Sequence, residues 1–515
     1  MRRHFCFALL VTAASPRLTR LSAQAVERTD TPRRGALRVT FQPRTMVWNQ
    51  EYTASGRQAI GFGLSGDSAG AVVPSIARLQ QDVRALTGIA GYVASLGHEL
   101  LAVHAERRVM PIGFEYGVTA RLSVGFTVPI VRVNVREGFR QQSAGGNIGL
   151  VPQAFEDSVR YNSFFANLNT ALGQLEDSIG SNAYGCPSSP ACTQANTVLT
   201  RGQALLLVLD SAVHGTGTPY LPLAGSEAGV ALTAVVAALQ RALVDTFLVT
   251  PFAQDTFLLP TSATAARDDV ASLLAARTSG LDLAPYAGPP RRLRFFSGDV
   301  EVTAKYRFVS RAAYAAAAQI VVRLPTGHQD SPNDPFDIAT GDHQTDLEGR
   351  LTGELTLWHR LWLNIAIRGA RQLAGERERR VGPVDQPFLP ATTLARLRWD
   401  PGDYVTMDFA PMYRFSLNFA AGLTAAYFTQ GRDRYAFLSP QDSVTLATQM
   451  GEPVGLTVLE PGTAIRQARL GLAATYAGPR LEGGFSLERT ISGAGGPVPA
   501  ATVFRIVMRQ TIVLF

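Results

Sequence analysis

Residues 345–372 read TDLEGRLTGELTLWHRLWLNIAIRGARQ. From Asp346 to Leu357 two kinds of residue alternate. Leu347, Gly349, Leu351, Gly353, Leu355 and Leu357 lie on one side, and Asp346, Glu348, Arg350, Thr352, Glu354 and Thr356 on the other. After Trp358-His359-Arg360 the alternation resumes, with Leu361, Leu363, Ile365 and Ile367 against Trp362, Asn364, Arg368 and Gln372. Successive side chains of a strand project to opposite faces, so the stretch predicts two strands joined by a tight turn. An ordinary half-buried sheet would alternate in the same way. The hairpin, however, is of membrane-spanning length and recurs along the chain up to a terminal Phe515. That is the pattern of a transmembrane β-barrel, apolar side to lipid and polar side to the lumen.

Composition agrees. Charged residues are 17% of the chain, against about a quarter in ordinary domains, and hydrophobic residues are 46%. There is no unbroken apolar run of about 18 residues, as a membrane-spanning helix requires. A spanning strand needs only about 9–11 residues, half of them apolar, which fits a mean hydropathy of +0.06.

The N-terminus reads as a secretory signal peptide over residues 1–25. Arg2 and Arg3 precede a short apolar core, Phe5 to Ala14, and Ala23-Gln24-Ala25 forms a small-x-small cleavage site, although Pro16, Arg17 and Arg20 intervene. Removing it deletes four arginines and no acid, which takes the net charge from +7 to +3. The basic pI of 9.5 therefore gives no reason to expect a nucleic-acid partner. Of three cysteines, Cys6 lies in the signal, and Cys186 and Cys192 close a short loop suited to a disulfide in an oxidising compartment. A two-cysteine metal site is the sharper alternative, but no histidine nearby completes it, and no cofactor is expected.

Taken in order, Ala36 to Ala54 is a first strand. A helix follows, with Pro74 at its start, Ile76, Leu79, Val83 and Leu86 at helical spacing, and Gly88 as its stop. Gly97–Val118 and Arg121–Arg136 form a hairpin, which completes a first barrel segment over 26–136. Residues 137–294 differ in kind. Tyr161, Phe164, Phe165, Leu168, Leu172, Leu175 and Ile179 follow helical periodicity, and further helices are expected near Gln194–Ser211, Glu227–Phe247 (Ser226 as N-cap) and Ala263–Arg277. An insertion of that length is expected to be folded and functional. Phe164, Phe165, Leu168 and Leu172 are its candidates for an apolar cap over the barrel. From 295 to 515 the strand pattern returns: 299–310, 311–324, 346–357, 361–372, 404–413, 415–429, 464–476, 481–490 and 502–515.

This makes about twelve antiparallel strands. The turns near Thr119, Ser310, His359, Arg414 and Pro479 are short. The connections at 55–96, 137–294, 325–344, 374–402, 430–461 and 492–499 are long. Short periplasmic turns alternating with longer external loops mark a bacterial outer-membrane barrel, with both termini periplasmic and the insertion outside. Its expected surroundings are outer-membrane lipid and lipopolysaccharide, and its expected helper is the barrel-assembly machinery, for which Phe515 is the candidate signal. Two points stay open. Thr393–Trp399 could be a further strand, which would spoil the parity. In the last strand Val507 and Val513 share a face with Arg505 and Arg509, so its alternation has no clear sense.

Chemistry is sparse. None of the seven histidines (His4, His98, His104, His214, His328, His343 and His359) forms a ligand pair on one element. No serine motif of a membrane phospholipase is present, so an outer-membrane hydrolase ranks last and the chain is not expected to be an enzyme. Asp330, Asn333, Asp334, Asp337 and Asp342 lack the spacing of a calcium loop and read as a solvated acidic loop. The run Glu376 to Arg380 reads as a solvated loop too. Glu301, Lys305, Arg307, Arg323, Glu348, Arg350, Glu354 and Arg368 are the lumen-facing candidates. Mutual salt bridges would explain their mixed sign, and a substrate path is the alternative.

Val321-Val322-Arg323-Leu324-Pro325-Thr326-Gly327, then Ile338-Ala339-Thr340-Gly341 and Thr345-Asp346-Leu347, resemble the outer-membrane phenol meta-pathway (MetA-pathway) transporter family, which is similar to FadL-type channels. Tyr116-Gly117-Val118-Thr119 through Leu122, with Val128-Pro129, resembles that family's early hairpin. The resemblance implies passive inward passage of small hydrophobic or aromatic compounds. FadL-type proteins also carry an N-terminal plug, for which the leader from Val26 to Gly35 offers little chain. The alternative is a surface structural or adhesion protein that displays the helical insertion.

Overall fold

The computed structural model describes residues 27–514, apart from 63–64, 69, 71–72, 152–157, 215–217, 265–266, 276–280, 284–290, 335, 359, 384–385, 387, 417 and 479–480. The expected signal peptide and Phe515 lie outside the described residues.

The molecule is built on a closed antiparallel barrel. Its wall contains fourteen strand segments, of which two pairs are halves of single strands, leaving twelve. These are β1 (Ala36–Phe41 and Arg44–Trp48), β2 (His98–Gly117), β3 (Leu122–Gln142) and β4 (Arg291–Ser297 and Glu301–Ser310). Next come β5 (Tyr314–Arg323), β6 (Asp346–Leu357), β7 (Leu361–Gln372) and β8 (Tyr404–Arg414). The last four are β9 (Phe419–Gln430), β10 (Arg466–Ala477), β11 (Leu481–Ala494) and β12 (Thr502–Val513). Neighbours in sequence pair in order, and β1 closes the ring, Leu37 lying opposite Tyr116 of β2 and Ile512 of β12.

The two interrupted strands have local causes. In β1 the break falls at Gln42-Pro43, where proline cannot donate to the ladder. In β4 the register against β3 slips by one residue between the pairs Ile130–Ser297 and Thr127–Glu301. This bulge turns Asp299 inward, the usual effect of an extra residue in a strand.

The alternation has the expected sense. Leu347, Leu351, Ile365 and Ile367 are exposed on the outside, while Glu348, Trp362 and Asn364 are buried inside. The last strand is resolved as well. Phe504, Ile506, Met508 and Ile512 face out, and Val503 and Val507 are buried with Arg505 and Arg509 on the inner side. A closed barrel with an apolar outer belt leaves no unpaired edge in the bilayer and is the architecture of Gram-negative outer membranes.

Outside the membrane three expectations change. Thr393–Trp399 does lie in a strand, Leu394–Asp400, but that strand pairs with Gly375–Arg380 and Arg434–Phe437 in a separate small sheet, so the barrel keeps its even count. Glu376 to Arg380 is therefore strand, not solvated loop. Arg380 is buried and donates to the carbonyls of Leu281 (2.5 Å) and Leu389 (2.6 Å). The connection after β9 also holds a helix, Pro440–Met450, with a Ser439/Asp442 capping box.

The insertion folds as a cap of helices, joined by α1 (Pro74–Thr87) from the connection between β1 and β2; its own members are α2 (Ser158–Gly180), α3 (Pro190–Val213), α4 (Glu227–Arg241) and α5 (Arg267–Ala275). α1 ends at Gly88 with φ 73°, a left-handed value that suits glycine. α4 starts where Ser226 accepts from Gly229 N. α2 and α3 approach closely at Gly202, where an added Cβ would lie 2.4 Å from Leu172. Cys186 and Cys192 form a disulfide, and between them Ser189 caps α3 by accepting from Cys192 N at 2.9 Å. The cap begins later than residue 137, because β3 runs on to Gln142, and β4 re-enters at Arg291.

Candidate functional site: the barrel lumen

Twelve strands enclose a narrow lumen that side chains can largely fill. Here the interior is divided rather than filled, and the N-terminal leader does part of the dividing. The leader enters at the periplasmic rim, where Gly35 N donates to Gly117 O at 2.9 Å and the Thr31 hydroxyl to Ala120 O at 3.2 Å. It then climbs, with Thr29 N donating to Glu354 at 2.9 Å. At mid-height the Glu27 carboxylate meets Arg350 and Arg368, 3.2 Å from each, and its carbonyl accepts from Asn364. Lower down, Asp30 joins Arg28 and Arg38 at 2.6 Å each, and Arg28 also pairs with Glu482. The expectation that the leader supplies little of a plug is thus corrected. Nine residues, Glu27 to Gly35, suffice because an extended chain rises more than 3 Å per residue and the barrel is narrow.

The eight lumen-facing candidates all lie on the inner wall, and most join one network. Arg323 bonds to Glu301 (3.1 Å), Asp346 (2.8 Å) and the Tyr404 hydroxyl (3.1 Å). Arg350 bonds to Glu301 at 3.2 Å and also to Glu348. Arg368 adds Asp408 at 2.8 Å. Lys305 is buried on the same wall, and Arg307 donates to Ala120 O at 3.2 Å near the periplasmic turn. Glu354 serves the plug. Charges shielded from water need such partners, so these ion pairs stiffen the wall and hold the leader.

From the extracellular side the lumen is narrowed by the 325–344 connection, which folds inward. Asp299, aimed inward by the β4 bulge, accepts from Gly327 N (2.7 Å) and Asp342 N (3.1 Å). A Cβ at Gly341 would sit 2.3 Å from the Asp299 carboxylate, so the glycines of the Leu-Pro-Thr-Gly and Ala-Thr-Gly stretches are there for close approach. Thr340 anchors the turn by donating to Ser297 O and accepting from Arg107 at 3.2 Å. The loop's acids are not simply solvated. Asp330 pairs with Arg377, and Asp334 is buried, accepting from Phe336 N at 3.1 Å. Among the described residues no three His, Cys, Asp or Glu side chains gather as a metal site.

Between the plug and the inturned loop lies a chamber of about 510 Å³, the size of a small-molecule site. Its lining is charged on most sides, but β2 and β3 contribute Val109, Pro111, Pro129 and Val131. Sequence reading missed this patch because two prolines and two valines among arginines show no motif.

The cap candidates occupy a different place from the one expected. Phe164, Phe165, Leu168 and Leu172 are buried in the cap's own core. Phe164 packs edge-to-face with Phe252 and Phe257, centroids 5.0 and 5.1 Å apart. They offer no open capture face, because amphipathic helices of this length bury their apolar stripes on one another. That core is nonetheless continuous with the barrel wall, since Val131, Val133 and Val135 of β3 belong to the same buried cluster.

Outside the membrane one carboxyl is strongly perturbed. On β3 the outward apolar belt ends at Ile130 and gives way to Arg132 and Arg136, so Glu99, opposite Gln141, stands well above the bilayer. Burial beneath the cap pushes its pKa up to about 7.

No family model matches this chain, and no curated protein does. Its solved neighbours include outer-membrane channels and autotransporter β-domains. An outer membrane channel of Pseudomonas putida F1 shares 7% identity at a TM-score of 0.42, over 94% of this chain and 98% of that one. The toluene transporter TodX of the same species shares 8% over 93% and 89%, at 0.25. A Pseudomonas aeruginosa FadL homologue also shares 8%, over 93% and 90%, at 0.27. At such similarity the reading of this chain rests on its own geometry.

Proposed function

We propose that this barrel is a gated channel for passive inward movement of small hydrophobic or aromatic compounds. One observation carries the reading. The inner wall of β2 and β3 is apolar at Val109, Pro111, Pro129, Val131, Val133 and Val135, so an apolar track leads from beneath the cap into the lumen chamber. On its periplasmic side the chamber is lined by Glu27 of the leader. The leader is held along its length by ion pairs and hydrogen bonds, from Glu27 through Arg28, Thr29, Asp30 and Thr31 to Gly35, rather than by a folded core. A sparingly soluble solute would follow the track and pass when the leader is displaced.

Uptake of benzyl alcohol into proteoliposomes tests this, comparing the full chain with Val131→Asp, which charges the track without touching the plug. Uptake should fall severalfold in the variant while the barrel's heat-resistant migration is kept. Equal uptake by both would remove the apolar track from the mechanism. The adhesion reading gains something from Val159, Leu207, Val230 and Leu248, which are exposed on the cap, and it predicts no uptake at all.

A further inference from the structure

Every periplasmic junction of the barrel carries an arginine. Arg121 lies in the β2–β3 turn, Arg311 in the β4–β5 turn, Arg360 in the β6–β7 turn and Arg414 at the β8–β9 turn. Arg480 stands between β10 and β11 in the sequence, outside the described residues. At the sixth junction, where β12 closes against β1, the leader emerges with Arg33 and Arg34. It passes so close to the end of β2 that a Cβ added at Gly117 would lie 2.1 Å from the Arg33 carbonyl oxygen.

No acid answers them. The turn residues 118–121, 310–313, 358–360, 414–418 and 478–480 contain no Asp or Glu. The acids nearest Arg121, Arg360 and Arg414 in sequence lie inside the lumen and are already bonded, Glu115 to Arg38, Glu354 to Thr29 N and Asp408 to Arg368. Arg33, Arg34, Arg121, Arg311 and Arg360 are exposed, and among the described residues no carboxylate pairs with any of them. A surface that meets only water usually mixes both signs. The extracellular side does so, with Arg396 paired to Glu376 and Arg377 to Asp330.

The rim also meets lipid. Trp358 is 82% exposed, and Tyr314, Tyr413, Phe415 and Phe419 are exposed at the adjoining ends of β5, β8 and β9. Such a band of aromatics marks the boundary between hydrocarbon and headgroups. The arginines sit at that boundary. Arg360 donates to the Tyr413 hydroxyl at 3.2 Å, and Arg311 and Arg121 stand three residues before the outward-facing Tyr314 and Val124. Arginine lays its stem on apolar surface and keeps its guanidinium in the polar layer beyond.

We infer that this rim binds the phosphates of anionic phospholipids in the periplasmic leaflet, at the arginine of each junction. A guanidinium offers paired N–H donors that match phosphate geometry. A zwitterionic headgroup brings a cation as well, which a wholly basic rim disfavours. A soluble acidic partner would give no reason for the aromatic band beside the arginines. At Arg33 and Arg34 the same lipids grip the foot of the leader.

The test places the full chain in phosphatidylcholine vesicles and compares spin-labelled phosphatidylglycerol with spin-labelled phosphatidylcholine by electron paramagnetic resonance. The immobilised fraction of each label reports its association with the barrel wall. Phosphatidylglycerol should be favoured at least about twofold, less than one cationic side chain supplies at an anionic membrane surface. Salt at about 1 M should remove most of that preference. An Arg121→Gln, Arg311→Gln, Arg360→Gln variant should lose it. An Arg201→Gln, Arg432→Gln, Arg434→Gln variant, which removes the same charge from the extracellular side, should keep it. Retained heat-resistant migration shows that a variant is folded, and the salt response of the parent needs no variant. Equal immobilisation of both lipids by the parent overturns the inference and leaves the rim to a soluble acidic partner. A preference that survives in the rim variant, or in the parent at high salt, overturns it too.

Discussion

The Glu27 carboxylate lies 3.2 Å from the guanidiniums of both Arg350 and Arg368, joining the leader to the middle of the barrel wall. It is the uppermost anchor described for the plug. Replacing it with Gln keeps the shape and removes the charge. The displaced state of the plug should then rise roughly tenfold in population, as for loss of a charge-assisted bond worth about 1.5 kcal/mol. Single-channel recording in planar bilayers should show more frequent or longer open events. An unchanged record would mean that the lower contacts alone hold the leader.

Gly341 is a second control point. Alanine there must displace the Asp299 carboxylate, because the added Cβ has 2.3 Å to it. The inturned loop should lose its seat while the strands keep theirs. Gly341→Ala should therefore raise mean ion conductance and expose residues 325–344 to protease, whereas thermal unfolding of the barrel stays within about 1 kcal/mol of the parent.

The cap depends on its own core. Phe164 is 1% exposed, and truncation to alanine should cost the cap about 3–5 kcal/mol. The helical circular-dichroism signal should melt at lower temperature, and the strand signal should be unaffected. Loss of both together would show that cap and barrel unfold as one unit.

Glu99 makes cap seating pH-dependent. Its pKa rises in the fold from 4.5 to about 7, so the fold favours the neutral form. The contribution is fully present below about 4.5 and is lost as pH rises through about 7. Helical melting of the cap should therefore be higher at pH 5 than at pH 8.5, and Glu99→Gln should flatten the difference. A cap that melts higher at pH 8.5 would contradict burial as the cause.

Period-two alternation made the barrel legible. Asp346–Gln372 shows it plainly, because one face meets lipid and the other polar groups. The last strand was opaque because Val503 and Val507 pack inward beside Arg505 and Arg509, so neither face is purely apolar. Leu394–Asp400 alternates as well, but alternation identifies a strand and not the sheet it joins. The leader was not legible at all. It has no periodicity, and Glu27 finds Arg350 across 323 positions. The placing of Arg44 opposite both Arg505 and Val109 likewise exists only through barrel closure, which sets residues from both ends of the chain side by side.

The central claim is that solutes cross through the lumen when the leader moves aside. Asn364 donates to the Glu27 carbonyl at 3.2 Å, so a Glu27→Cys, Asn364→Cys pair bridged by a short bis-thiosulfonate ties the leader to β7. Benzyl alcohol uptake by proteoliposomes, measured with this pair bridged and then reduced, tests the claim directly, with the parent protein under the same reagents as the control. Uptake should be abolished by bridging and restored by reduction. Undiminished uptake through the tied barrel would contradict the account.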